Sequence, residues 1–120
     1  MVTVYGIKNC DTVKRALKAL DGKAIAYRFH DFKIDGLTPG KAQQWIDALG
    51  LDAVLNRRGT TWRGLDDATR DGVTADNAAA LLASRPSLVK RPVIEHPGGM
   101  LVGFARTEEA AILAELRGAS

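Results

Sequence analysis

The chain has one cysteine in 120 residues, Cys10. An internal disulfide is therefore excluded, and the fold must rest on its apolar core. A chain of this length buries about two-thirds of its unfolded surface and needs no covalent staple. Nor is there a C-x-x-C pair, because Val13 stands three residues after Cys10. Any mixed disulfide on Cys10 must be released by an outside thiol. A phosphatase-type cysteine loop is missing as well, since it wants an arginine six residues on, where Ala16 stands. There are two histidines, His30 and His96, and neither has metal-ligand spacing with the cysteine. Both read as structural or solvent-facing, and no metal is expected. No apolar run approaches a membrane span. Lys8, Asp11, Lys14 and Arg15 interrupt any secretory apolar stretch early, so a cytoplasmic location is expected. The net charge of +3 is too weak to argue direct nucleic-acid binding.

Of what is present, 46% is hydrophobic, ordinary for one globular domain. Val2–Tyr5 is apolar and β-branched and predicts a first strand over residues 2–5. Val13, Ala16, Leu17 and Leu20 recur at helical spacing and predict a helix over 11–20, ended by Asp21-Gly22. Ile25, Tyr27 and Phe29 alternate within a second strand over 24–32. Thr38 followed by Pro39 opens a helix through Leu49, with Ala42, Trp45 and Ile46 inward. Leu51–Leu55 suits a short helix, residues 56–63 read as an exposed loop, and Thr74 caps a helix over 75–84. Val93–Glu95 and Met100–Val102 make a hairpin around the four residues His96-Pro97-Gly98-Gly99. Thr107 then caps a last helix carrying Ala110, Leu113 and Leu116. The order is βαβ, helical segments, then ββα. That is the thioredoxin-like plan, an α/β fold with a mixed four-stranded sheet. Residues 1–34 and 86–120 form its core and residues 35–85 a helical insert.

This order places Cys10 in a loop between the first strand and the first helix. Free backbone N–H groups and the positive end of the helix dipole favour a thiolate over a thiol in such a place. Cys10 is therefore the candidate nucleophile, against the alternative of a merely structural cysteine. Lys8 adds positive potential, and Asn9 and Thr12 stand where they can orient the sulfur or a ligand. Arg91-Pro92 precedes the third strand. In thioredoxin-like folds that proline is typically cis and lies beside the active sulfur, and X-Pro is the common route to a cis bond. The main chain of Arg91 would then offer an edge to the peptide backbone of glutathione. Arg57, Arg58 and Arg63 surround Gly59-Thr60-Thr61. Arginine forks bind oxyanions and carboxylates bidentately, and Arg57 is the one expected to converge with Arg91 on the Cys10 loop. Trp62 either covers the insert or lines the cleft. Arg106 and Arg117 read as solvated helix faces.

Four segments carry a family resemblance. They are Tyr5-Gly6-Ile7-Lys8-Asn9-Cys10-Asp11-Thr12, Leu55-Asn56-Arg57-Arg58-Gly59-Thr60-Thr61, Lys90-Arg91-Pro92-Val93 and Leu101-Val102-Gly103-Phe104. With them the chain resembles the ArsC/Spx family over essentially its whole length, and most of all the monothiol YffB-type subgroup. The resemblance implies arsenate reduction linked to glutathione or glutaredoxin, in which the cysteine thiolate attacks arsenate. It implies that Cys10 is the nucleophile and that Arg57 and Arg91 are two oxyanion-binding arginines. A third arginine of the arsenate reductases falls on Gly103 here. One charge-assisted contact of about 1.5–3 kcal/mol is thereby missing, or one to two decades in affinity. A glutathione-dependent thiol–disulfide activity suits the subgroup better. The Spx branch implies a second class of function, a regulator bound to the RNA polymerase α-subunit. Val13 denies this chain the C-x-x-C switch of many Spx proteins.

Overall fold

A computed structural model describes residues 1–119. In chain order the elements are β1 (Val2–Gly6), α1 (Asp11–Gly22), β2 (Tyr27–Asp31), α2 (Phe32–Asp35), α3 (Pro39–Leu49), α4 (Leu51–Val54), α5 (Thr60–Arg63), α6 (Asp67–Gly72), α7 (Ala78–Ser84), a 3-10 turn (Pro86–Leu88), β3 (Val93–His96), β4 (Gly99–Val102) and α8 (Glu109–Ala119). They fall into two compact units. One holds Met1–Asp35 and the chain from Arg91 onward, the other Gly36–Lys90.

The first unit is a four-stranded sheet in the order β2-β1-β3-β4. β1 and β2 run parallel, with Val2 opposite Tyr27 and Gly6 opposite Asp31. β3 is antiparallel to both β1 and β4, with Tyr5 opposite Val93 and Val93 opposite Val102. This mixed sheet with its βαβ and ββα halves is thioredoxin-like. Strand alternation sends Val2, Val4 and Ile94 to one face. There they pack with Ala16 and Leu20 of α1 and Ile112, Leu113 and Leu116 of α8, and with Ile25 and Phe104. Each fully buried Val, Leu, Ile or Phe contributes about 1.5–3 kcal/mol relative to exposure. This cluster therefore fixes α1 against β1, and with it the start of α1.

The second unit is helical, and α3 packs against α7. The Thr38 hydroxyl accepts from the Lys41 amide at 3.2 Å, Pro39 opens α3, and Gly50 ends it at φ +92°. The predicted cap is present, and the helix runs through Leu49 as predicted. Asp66 caps α6 by accepting from the Thr69 amide. The bond from the Thr69 hydroxyl first, then this amide bond, hold its carboxyl below the usual carboxylate range. Buried residues of this unit include Trp45, Ile46, Val54, Leu55, Leu82, Leu88 and Val89.

Several predicted boundaries move. The second strand is shorter than 24–32, because Ala24 adopts a left-handed φ of +55°. At its other end the Asp31 carboxylate accepts from the Lys33 amide and starts α2, which takes Phe32 out of the strand. The expected loop 56–63 contains the one-turn helix α5, started after Gly59. α6, in a stretch where no element was predicted, forms on its Asp66 cap. α7 begins at Ala78 rather than 75. Asn77 accepts from the Thr74 amide through its side chain, so residues 74–77 close a turn of their own before the helix. The hairpin connection is two residues, not four, because His96 pairs with Gly99. Thr107 lies in a turn, and α8 starts at Glu109, two residues after the predicted cap. Among the described residues no helix is long and apolar enough to cross a membrane.

Candidate functional site

β1 ends at Gly6, and residues 7–9 carry the chain to Cys10. Cys10 is the N-cap of α1, with extended backbone (φ −122°, ψ 124°), and its carbonyl accepts from the Lys14 amide at 2.9 Å. The cysteine is half-buried, and its side chain makes no capping hydrogen bond. The open amides of the first turn and the positive end of α1 favour negative charge at this place. Asp11 and Lys8 are exposed, Asn9 is exposed in the turn, and Thr12 is half-buried. Val13 is fully buried and lies under the end of β1. A Cβ built on Gly6 would stand 2.7 Å from its Cγ2. The position where a second thiol would complete C-x-x-C therefore faces the core.

The Arg91-Pro92 peptide is cis, as the order of elements predicts. Because Tyr5 pairs with Val93, this peptide lies at the same end of the sheet at which β1 runs into the Cys10 loop. Pro92 is buried and Arg91 half-buried. The Pro92 carbonyl accepts from the Gly103 amide at 2.8 Å. Gly103 has φ +85°, and a Cβ there would meet nothing within 4 Å. Gly103, where the family resemblance implies a third arginine in the arsenate reductases, is thus hydrogen-bonded to the cis proline.

Arg57 belongs to the second unit. Its Nη1 donates to Asp52 Oδ1 at 2.7 Å, and its guanidinium carbon lies 5.6 Å from the centre of the Trp62 ring. The same loop is closed by the Arg58 amide on Asn56 Oδ1 (3.0 Å) and by Arg63 Nη2 on the Arg58 carbonyl (2.5 Å). One unit therefore holds Lys8, Asn9, Cys10, Thr12, Arg91 and Pro92, and the other holds Arg57. Trp62 is a platform for Arg57.

Two features escaped the sequence reading. Arg15, one turn beyond Cys10 on α1, donates to Glu109 Oε1 at 2.6 Å and to the Phe104 carbonyl, with its guanidinium 5.1 Å from the centre of the Phe104 ring. It ties α1 to the chain leaving β4, and helical period alone marks it only as one more charge on a polar face. On the other face of the sheet, the Tyr5 hydroxyl donates to Glu95 at 2.9 Å, and the His30 ring centre lies 4.9 Å from that of Tyr5. Burial first, then the bond to Glu95, push the Tyr5 phenol up to about 12. Alternation in β1, β2 and β3 is the only sequence signal that puts Tyr5, His30 and Glu95 on one face. His96 is structural, as expected: its Nε2 pairs with Glu115 at 2.8 Å and its Nδ1 accepts from the Gly98 amide. Arg106 and Arg117 are exposed, as expected. With Lys23 they rim a groove of about 560 Å³ floored by Ala110, Leu113 and Ala114. Among the described residues no three His, Cys, Asp or Glu side chains gather to hold a metal.

A thioredoxin-like sheet, one thiol at the start of its first helix and a cis proline before β3 define a thioredoxin-fold protein of the single-thiol kind. The model of the ArsC family matches residues 5–112, and the chain belongs to the ArsC family, a group of arsenate reductase-like thiol proteins. An uncharacterised protein of Haemophilus influenzae is 44% identical over 114 residues, covering 95% of this chain and all of that one. The solved structure of a YffB protein is 42% identical with a TM-score of 0.88, covering 94% of this chain and 99% of its own. An arsenate reductase (ArsC) related protein from Brucella melitensis is 43% identical with a TM-score of 0.75, covering 92% of each chain.

Proposed function

We propose that the protein is a glutathione-dependent thiol oxidoreductase working through the single thiolate of Cys10. The carrying observation is that the only cysteine stands at the N-cap of α1 while Val13 is fully buried. Cys10 therefore has an activating place and no internal partner. In the favoured reaction the thiolate attacks the glutathionyl sulfur of a mixed disulfide. The S–S bond breaks, the substrate leaves as a thiolate and takes up a proton, and Cys10 carries glutathione. A second, reduced glutathione attacks that bond, loses its proton, frees Cys10 and leaves as oxidised glutathione. In sum one glutathione thiol is oxidised to disulfide level and the substrate sulfur is reduced to a thiol, the second sulfur of oxidised glutathione coming from the mixed disulfide. Glutaredoxin serves as an alternative source of the second thiol.

Arg91 and Arg57 bind the carboxylates of glutathione or a substrate oxyanion. Lys8 adds positive potential, Asn9 and Thr12 orient the sulfur or the ligand, and the main chain beside Pro92 accepts the glutathione backbone as an added strand. Arsenate is the weaker substrate, because glycine replaces an arginine at position 103. The family supports the thiol chemistry, and its similarity to an arsenate reductase (ArsC) related protein supports an oxyanion as the secondary substrate. The cytoplasm, where glutathione keeps thiols reduced, is the matching compartment.

The test is an amide NMR titration with reduced glutathione, in parallel with a glutathione mixed-disulfide reductase assay. Shifts centred on residues 8–12 and 91–92, with turnover abolished by Cys10→Ser, are expected. An unmoved spectrum with normal folding sinks the glutathione reading. Turnover surviving in Cys10→Ser removes the thiolate from the mechanism and turns attention to a docking role of the Spx type.

A further inference from the structure

Arg57 is held on two sides. The Trp62 ring lies under its guanidinium plane at 5.6 Å, and Asp52 accepts from its Nη1 at 2.7 Å. The surrounding loop is fixed. The Asn56 amide donates to the Leu88 carbonyl at 2.7 Å, and Arg63 clasps the Arg58 carbonyl. The main chain of Asp52 is anchored too, since its carbonyl accepts from Lys90 Nζ at 2.9 Å. By contrast the Asp52 side chain is 89% exposed, against 41% for Arg57. A carboxylate so placed is readily replaced, because an exposed ion pair is weak and screened by salt. A guanidinium has five N–H donors, and Asp52 engages one nitrogen.

We propose that Asp52 and Trp62 set the anion affinity of Arg57. Trp62 holds the guanidinium plane, and Asp52 is a resident carboxylate that an incoming carboxylate or oxyanion must displace. This rests on the reading of Arg57 as an anion ligand given above. Both are positioning residues, acting on the ligand through Arg57. The device makes binding selective for anions that offer a better fork than a monodentate aspartate. Planar carboxylates and tetrahedral dianions meet that requirement, and chloride does not.

The probes are sodium arsenate and reduced glutathione, each titrated against the full chain while the Arg57 Nε–Hε NMR signal is followed. Asp52→Asn is expected to tighten binding about two- to fivefold, the range of an exposed ion pair, with the gain shrinking as salt is added. Asp52→Glu, which restores the carboxylate, returns affinity toward the parent value. Trp62→Leu weakens binding about two- to fivefold, the range of an exposed cation–π contact. Both effects vanish in an Arg57→Gln background, which a merely structural role would not produce. If the Arg57 signal moves with ligand but Asp52→Asn brings no gain, the inference is overturned and the place of Arg57 in the site stands. If the signal is unmoved by either probe in both parent and Asp52→Asn, the inference and the binding role of Arg57 fall together, while the Cys10 chemistry remains testable by its own assay.

Discussion

Gly6→Ala is the sharpest perturbation of the architecture that presents Cys10. At a strand position with ordinary backbone, replacing glycine by alanine stabilises by about 0.4–1 kcal/mol, through the unfolded chain. Here the new Cβ would lie 2.7 Å from Val13 Cγ2, whereas ordinary contact begins at 3.4 Å. The overlap is at least 3.4 − 2.7 = 0.7 Å. Val13 cannot swing aside cheaply, because a β-branched side chain in a helix has one strongly preferred rotamer. Either it leaves that rotamer or the first turn of α1 shifts, and overpacking of this kind costs about 1–3 kcal/mol. Val13→Ala alone loses two buried methyl groups and costs about 1–3 kcal/mol with its cavity. In the double variant the alanine methyl at position 6 occupies space that Val13 vacates. The pair should therefore be less destabilised than the sum of the singles, by about 1–2 kcal/mol. Urea unfolding at constant m-value measures all three. The alkylation rate of Cys10, which caps the same turn, should change in Gly6→Ala and recover in the double variant. A Gly6→Ala protein as stable as the parent, or a cycle additive within about 0.5 kcal/mol, would refute the close approach.

Three further outcomes follow from the same geometry. Tyr5 keeps its proton in the folded state up to about pH 12, while the unfolded phenol releases it near pH 10. The folded state therefore binds more protons in that window, and stability falls as pH rises from about 10 to about 12, by at most about 2–3 kcal/mol from this group. Tyr5→Phe should show a shallower fall in urea midpoints between pH 9 and 11.5, and parallel curves would contradict the assignment. Arg15→Ala removes the charge-assisted bonds to Glu109 and the Phe104 carbonyl and should destabilise by about 1–3 kcal/mol, read by thermal melting; a neutral result would show that these contacts are not held in solution. Gly103→Arg restores the family's third arginine in open space but forces a non-glycine residue to φ +85°. It should lose about 1–2 kcal/mol of stability yet bind arsenate roughly ten- to a hundredfold more tightly; unchanged arsenate affinity by calorimetry would remove position 103 from the anion site.

The parts of the fold that were legible in the sequence carry their own local signals. Thr38-Pro39 opens α3 by capping and proline tolerance, and both signals are local. The Val2–Val4 alternation and the Ala16–Leu20 spacing need only their own periods to declare an inner face. The cis peptide was legible for a different reason, since it follows from the order of elements and from the proline that permits it. What was not legible depends on side chains folding back on the main chain. Asp31 ends β2 by capping α2, and Asn77 spends three residues on a closed turn before α7. Neither pairing has a period. The site divides in the same way. Cys10, Arg91 and Pro92 are positions in a topology, so their place at one end of the sheet could be read from the chain. The partners of Arg57 could not be, because Asp52 lies in the first turn of the four-residue α4 and Trp62 sits on the four-residue α5, both too short to show a pattern.

The burial of Val13 bears on chemistry as much as on packing. A thiol at position 13 would have to leave the core beneath Gly6, or Cys10 would have to turn inward, before the two sulfurs could bond. Position 13 is spent on fixing α1 against β1, and that contact in turn fixes the N-cap where Cys10 stands. Gly103 acts in the same direction from the other side. Its amide holds the Pro92 carbonyl, and its left-handed backbone admits an arginine only at a cost in stability. Two positions that would have supplied a second sulfur and a third cation instead serve the scaffold. If Cys10 works as proposed, its second thiol comes from outside the chain, and glutathione, which brings both a thiol and carboxylates, suits that role.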